Sequence, residues 1–392
     1  MTTPQFSILV PTRDRAQTLR YALETLVGQA GSYEVVIADN CSGPAVKMVA
    51  VDLASRLPNV KYVRSDSIVP MADNWERGLA QCQGEYVTVL GDDDGLVPSA
   101  LECALKLIAA TKAEVISWAV HTYWWPDTIV YWNANRLFVS NSKNVAAWQE
   151  SRATLKGFYD GALDFGALPM IYNAFVHRNL IDRVISARGR YFDPVKMSPD
   201  VSSGILNLLH ADRFVHTDRA LALRGNSRHS TGTATWARHL GSDRREAYFR
   251  EQKTTIEELS DPMLIASPNL HIAIANTKLL CKAAYFENDR ELVVDPVKVL
   301  TDLVDGLNFE PEAYDDNLAD ANRLAAKLGI DIGARVPERR HIDRRFMQGP
   351  FGSAAGNSGI CVNCDVAGIY TVSGAARLAD SMAPSAAAFL AG

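Results

Sequence analysis

The chain has 392 residues, a hydrophobic content of 47%, a charged content of 22% and a net charge of −5. That is a globular composition, long enough for two domains or one enlarged one. It excludes a basic nucleic-acid binder, and the six scattered cysteines exclude a disulfide framework and fit a reducing cytoplasm.

No run approaches the ~20 apolar residues that a membrane-spanning helix needs. The first strand is reached by Phe6, which leaves no room for a signal peptide. Work at a membrane would therefore be peripheral, from its surface. Cys361-x-x-Cys364 has no second pair at zinc-site spacing and reads as structural.

Phe6 to Val10 is an apolar strand ended by Pro11, and Thr12-Arg13-Asp14-Arg15 follows. Leu19, Ala22, Leu23, Leu26 and Val27 then share one helical face. Tyr33 to Ala38 is a second strand, which delivers Asp39-Asn40-Cys41-Ser42-Gly43. The next helix carries Val46, Val49, Leu53 and Leu57, and Val60 to Val63 is a third strand. Met71 to Gln83 reads as a helix ended by Gly84. Tyr86 to Leu90 is a strand buried on both faces. Pro98 opens a helix with Leu101, Leu105 and Ile108 apolar, and Val115 to Val120 is the next strand. This alternation predicts an α/β fold with a mostly parallel sheet and helices on both faces.

The Tyr86–Leu90 strand ends on Gly91, followed by Asp92, Asp93 and Asp94, with Gly95 and Pro98 turning the chain away. Open α/β sheets bind ligands beyond the carboxyl ends of their strands. Three adjacent carboxylates in that position repel one another and call for a cation. Mg²⁺ and similar hard ions bind such groups together with substrate phosphates and water. A dinucleotide-binding enzyme would need Gly-x-Gly-x-x-Gly after the first strand, where this chain has Pro11-Thr12-Arg13-Asp14-Arg15, and a Walker loop is absent too. Phosphate binding therefore falls to the triplet and its metal.

Four pieces, in order, resemble family 2 glycosyltransferases, inverting nucleotide-sugar enzymes of the GT-A fold. They are Ser7 to Arg13, Val36 to Ser42, Asn74 to Leu79, and Gly84-Glu85-Tyr86 leading to the triplet. The resemblance implies that Pro11, Thr12 and Arg13 line the base pocket and that Asp39, with Asn40, binds the nucleobase or ribose. It implies that Asp92 lies near the ribose and that Asp93 ligates Mn²⁺ or Mg²⁺, with Asp94 a further ligand. Many relatives carry Asp where this chain has Gly91, a departure of one position in the ligand set. Asp39-Asn40 also suits a helix cap, and Arg15 reads as a solvated charge.

From Trp118 to Trp148 aromatic residues are dense. Most read as a second core layer, Trp124-Trp125 as a surface element that could meet an acceptor saccharide, and Thr128 to Trp132 as a strand. Ser198-Pro199-Asp200 then opens a helix with Ile205, Leu208 and Leu209. The resemblance implies a catalytic base at this point, and Asp200 is that residue, with Asp193 in reserve. An inverting displacement needs one carboxylate there to take the acceptor hydroxyl proton; a plain helix cap is the alternative. Arg224 to Thr233 reads as a mobile, phosphate-contacting loop, with His229 as a metal ligand and His216 behind it.

The expected organisation is a GT-A catalytic domain over residues 1–240, split into a nucleotide-binding half (1–110) and an acceptor half (111–240). A helical extension follows over 241–348, able to build an acceptor site or a homo-oligomer contact, and then a Gly/Ala-rich tail over 349–392. Arg335 to Arg345 contains five Arg and reads as a solvated segment, with anionic lipid headgroups as the other reading. The expected partners are a nucleoside-diphosphate sugar and a saccharide or lipid-linked acceptor. A sugar-phosphate nucleotidyltransferase would need a Gly-rich basic loop that is missing. An inactive glycan-binding scaffold would not need Asp92, Asp93 and Asp200.

Overall fold

A computed structural model describes residues 3–192, 198–309, 311–340, 351–353, 359–386 and 389. The first half of the chain runs β1 (Phe6–Thr12), α1 (Ala16–Glu24), β2 (Tyr33–Asp39), α2 (Pro44–Leu53), β3 (Val60–Arg64), α3 (Met71–Leu79), β4 (Tyr86–Val89), β5 (Gly95–Leu96), α4 (Ala100–Thr111) and β6 (Val115–Trp124). The middle adds β7 (Arg136–Ser140), β8 (Ala146–Glu150), α5 (Ser151–Tyr159), β9 (Ala174–His177), α6 (Arg178–Arg188), α7 (Pro199–His210), β10 (Arg213–Asn226) and α8 (Thr231–Trp236). Then come α9 (Ser242–Gln252), α10 (Leu270–Tyr285), α11 (Pro296–Asp305), α12 (Tyr314–Leu328), β11 (Phe351–Ser353), β12 (Gly359–Asn363) and α13 (Val372–Met382).

One sheet organises these elements, in the order β11-β12-β7-β6-β9-β4-β1-β2-β3. The expected α/β architecture is present. Its parallel part is β3-β2-β1-β4. Beyond β4, β9 runs antiparallel to both β4 and β6. Long β10 then pairs parallel with β6 and antiparallel with β5 and β8. The pleat explains why β1 is apolar throughout. Phe6, Ile8 and Val10 point into the core beneath α1, α2 and α4, whereas Leu9 points into the core beneath α3, α6 and α7.

α10, α11 and α12 pack against the rest of the fold, as expected of a helical extension. Ile272, Leu300, Leu303 and Leu324 belong to the same buried cluster as Leu9, Trp75 and Val176.

Two local expectations are corrected. Thr128 to Trp132 is not a strand: Thr128 Nα donates to the Trp125 carbonyl, Tyr131–Asn133 forms a single 3-10 turn, and the chain pairs only from Arg136. Trp124 and Trp125 are buried, not at the surface.

The described part of the Gly/Ala-rich tail packs into the fold. β12 pairs antiparallel with β7, and α13 buries Val372, Ala375, Ala376 and Ala379. Ser373 Oγ donates to Glu24 at 3.1 Å, and buried Arg219 donates to the Pro384 carbonyl at 2.7 Å. Small residues lack helical periodicity in sequence, yet they are what allows α13 to lie close to α1. Deleting residues 359–392 exposes the edge of β7 and strips a buried guanidinium of acceptors. The expected result is a drop in thermal midpoint on the order of 10 °C or loss of soluble protein, read by differential scanning fluorimetry.

Candidate active site

The site is assembled where β1, β4 and β10 end together. β5 follows the triplet by a single turn and pairs with Ala222 and Leu223 of β10. That pairing lays the end of β10 across the three aspartates. Gly225 approaches so closely that a Cβ there would stand 1.7 Å from the Asp93 carbonyl oxygen. Arg224, Gly225 and Asn226 therefore finish a strand instead of forming a loop, and Ser230 caps α8 through the Thr233 amide.

All three carboxylates are buried, and they diverge. Asp92 accepts from Thr12 Oγ1 at 2.7 Å and from Arg15 Nη1 at 2.9 Å. Asp93 accepts from the Ser227 hydroxyl at 2.6 Å and its amide at 3.3 Å, both on Oδ2, while Oδ1 takes no part in these bonds. Asp94 accepts from the Gly225 amide at 2.6 Å and the Gly91 amide at 3.2 Å. Trp125 Nε1 fixes the main chain by donating to the Asp93 carbonyl at 2.9 Å.

Among the described residues no three His, Cys, Asp or Glu side chains form a ready metal cluster. Asp94 is clamped by two backbone amides. The carbonyl of His229 accepts from Arg15 and Arg244, and its exposed ring joins no such group. The donor set still suits a hard ion completed by phosphate oxygens and water, because Asp93 keeps one oxygen free in a site short of positive charge. Burial, against the pull of Arg15, pushes the Asp93 carboxyl up to about 6. Burial and the neighbouring Asp93 charge push Asp94 up to about 7.

Gly91 has a physical reason. A Cβ there would lie 2.3 Å from Tyr172 Oη and 2.6 Å from Asp94 Oδ2. An aspartate at this position has no room, so the one-residue departure from the family pattern is compensated by Tyr172. Gly91→Asp is expected to displace Tyr172, cost on the order of 2 kcal/mol and abolish activity, checked by thermal denaturation beside a transfer assay.

Tyr172 stacks on Trp75 at 5.6 Å between ring centroids. Burial, then the charges of Asp94, Asp93, Asp92 and Asp200, hold its phenol neutral far above its ordinary range. Asp200 is thus close enough to act on the same phenol as the triplet. Asp200 is partly buried in the first turn of α7, and the N-cap position belongs to Ser198. Burial raises the Asp200 carboxyl, opposed by the amides of that turn and by Arg224. Asp193 lies outside the described residues, as do residues 341–350 of the arginine-rich segment.

The nucleotide-side residues are also specific. Asp39 is fully buried at the end of β2; it accepts from the Ser42 amide at 2.9 Å and from Tyr62 Oη, with Arg64 at 3.8 Å. Asn40 spends its amide on Val69, donating to the carbonyl at 2.8 Å and accepting from the amide at 2.9 Å. Neither caps α2, whose N-cap is Gly43. Half-buried Pro11 leads into Thr12 at the end of β1. Arg13 forms an ion pair with Glu251 at 2.5 Å.

Arg15 is not a solvated charge: its side chain is 17% exposed and paired with Asp92. His216 is not at the site. It pairs with Ser117 whereas Gly225 pairs with Tyr123, six residues further along β6 and on the order of 20 Å away, and its Nδ1 lies 2.9 Å from Ser117 Oγ. The residues unforeseen from sequence are Arg15, Trp125, Tyr172, Ser227 and Arg244. Only Arg15, beside a matched motif, carried a usable signal.

Comparison with known proteins agrees with this geometry. Residues 7–160 match the model described as glycosyl transferase family 2. A Campylobacter jejuni GalNAc(5)-diNAcBac-PP-undecaprenol beta-1,3-glucosyltransferase is 30% identical over 105 residues, which is 26% of this chain and 34% of that protein. The putative colanic acid biosynthesis glycosyl transferase WcaA of Escherichia coli is 29% identical over 117 residues, 30% of this chain and 40% of that protein. The chain thus spans about a third of the length of the curated relatives it matches. A crystal structure of S. aureus TarS 1-349 in complex with UDP-GlcNAc aligns over 86% of this chain and 100% of that one, with 16% identity and a TM-score of 0.46. From Ser7 to Asp160, the stretch that carries β1, the Asp39 turn and the aspartate triplet, this chain is similar to glycosyl transferase family 2.

Proposed function

We propose that the protein transfers a sugar from a nucleoside-diphosphate sugar to an acceptor hydroxyl, with inversion at the anomeric carbon. The observation that carries this reading is the buried aspartate triplet just beyond β4, and the charge of Asp200 acts together with the triplet's on the Tyr172 phenol. The nucleotide lies along the β1 and β2 ends, with Asp39, Thr12, Arg13 and Asp92 as its binding residues; Pro11 and Asn40 shape the loops. Mn²⁺ or Mg²⁺ is held by Asp93, and when bound it supplies a positive charge beside the diphosphate.

Asp200 takes the proton of the acceptor hydroxyl as that oxygen bonds to the anomeric carbon. The bond to the diphosphate oxygen breaks on the opposite side, and the nucleoside diphosphate leaves with the electron pair. A raised carboxyl value suits this role, since a base works best near ambient pH. Tyr172 stays protonated between the two sides and can only donate hydrogen bonds. The acceptor is a saccharide, free or lipid-linked, in line with the lipid-linked substrate in the name of the Campylobacter relative.

The test is hydrolysis of UDP- and GDP-sugars by the full chain without acceptor, with Mn²⁺ and again in EDTA. Metal-dependent release of UDP or GDP is expected; silence across the donor panel in both conditions would refute the reading.

A further inference from the structure

Three guanidinium groups from two distant parts of the chain crowd one flank of the triplet. Arg15 donates to Asp92 at 2.9 Å and to the His229 carbonyl at 2.6 Å. Arg244, on α9, donates to the same carbonyl oxygen at 3.1 Å and to Thr231 Oγ1 at 3.3 Å, and stands 3.5 Å from Glu251. Arg13 shares that Glu251 carboxylate. Three cations therefore divide Asp92, Glu251 and, at 4.0 Å from Arg13, the exposed Asp14, and two of them share one neutral oxygen. Burial and the adjacent Arg15 charge pull the Arg244 guanidinium below its ordinary range, against Glu251 and Asp92. Arg244 itself lacks a hydrogen-bonded negative charge, since its hydrogen bonds go to a carbonyl and a hydroxyl. A diphosphate carries such charge, in a form that guanidinium forks bind through paired hydrogen bonds.

We propose that Arg13, Arg15 and Arg244 form a diphosphate subsite, in which Arg244 exchanges the His229 carbonyl and Glu251 for phosphate oxygens of the donor. The inference rests on the donor-site reading above and deepens it. α9 lies outside residues 7–160, so this is a contribution of the C-terminal region to the reaction. It also gives the segment from Ser227 to Ser230 a task. That turn holds Asp93 through Ser227 and both arginines through His229, so diphosphate binding and the Asp93 carboxylate are mechanically joined. As the sugar leaves, the charge that grows on the diphosphate oxygen is met by these guanidiniums.

The experiment is calorimetric titration of the full chain, in Mn²⁺ buffer, with UDP, GDP, uridine, guanosine and inorganic pyrophosphate. Wild type is expected to prefer the diphosphate over its nucleoside, and pyrophosphate should compete with it. Arg244→Ala should reduce that preference about tenfold or more with nucleoside affinity unchanged. Glu251→Gln removes the competing carboxylate and should increase the preference, a gain that a merely structural role would not produce. An unchanged preference in Arg244→Ala, or equal losses of nucleoside and diphosphate binding in both variants, would overturn the subsite. So would pyrophosphate binding alongside saturating UDP or GDP, which would assign the diphosphate to the other substrate. If wild type binds neither nucleosides nor diphosphates, the donor-site reading itself fails and the subsite with it.

Discussion

Asp93→Ala is expected to remove the metal-dependent thermal shift produced by UDP or GDP and to lower transfer on the order of a thousandfold. Among the three aspartates it alone keeps a carboxylate oxygen outside the hydrogen bonds that hold the triplet. Asp93→Asn separates charge from shape. The amide oxygen can still accept from Ser227, so the β10 end stays in place, while the negative charge is gone. Both variants should fold, and both should lose Mn²⁺-linked nucleotide binding. If Asp93→Asn keeps that binding in full, the cation is not held there.

The same carboxylates set a pH dependence. The folded-state values of Asp93 and Asp94 lie at about 6 and about 7, above their ordinary value of 3.8. The folded chain therefore binds these two protons more tightly than the unfolded chain does. Their contribution to stability is present at low pH and is lost as pH rises from about 4 through about 7. In EDTA the thermal midpoint should fall over that interval by on the order of a few degrees from this cause. Asp94→Asn should flatten the decline, and Mn²⁺ should offset it above pH 7. A midpoint in EDTA that rises across the same interval in wild type but not in Asp94→Asn would contradict the charge assignment.

Much of this was legible in the sequence because it is local. A strand buried on both faces followed by a turn needs only a few adjacent residues to announce itself, and β1, β2, β4 and the triplet are of that kind. The first turn of α7 was legible for the same reason: Pro199 sets the helix start and places Asp200 on it. What could not be read is convergence. Tyr172 sits in an irregular stretch whose sequence shows no period, and only the sheet order brings it beneath Gly91. Arg244 stands in a helix that begins Ser-Asp-Arg-Arg-Glu, which has the appearance of a solvated face. The order of the tail was not legible because it depends on pairing with β7, more than two hundred residues earlier, rather than on a pattern of its own. Trp125 looked like a surface residue because its one polar partner is a main-chain carbonyl, which no side-chain pattern records.

Asp200→Ala should separate binding from chemistry. Asp200 has no hydrogen bond to the triplet or to the Asp39 turn, so donor binding and its metal-dependent thermal shift are expected to persist. The acceptor hydroxyl would then have no carboxylate to take its proton, and transfer should fall by about a hundredfold to ten-thousandfold. The N-cap position of α7 is Ser198, but first-turn amides also bond the Asp200 carboxyl, so Asp200→Asn, which keeps an acceptor there, controls for the helix start. Removing a partly buried carboxylate whose value is raised by burial should leave stability unchanged or slightly improved at neutral pH. The decisive comparison is kcat for transfer against the affinity for UDP or GDP, measured on the same preparation. A lowered kcat with unchanged affinity supports the base assignment. Retained transfer would move the proton acceptor elsewhere in the cleft. Parallel loss of both would make Asp200 a donor-binding residue.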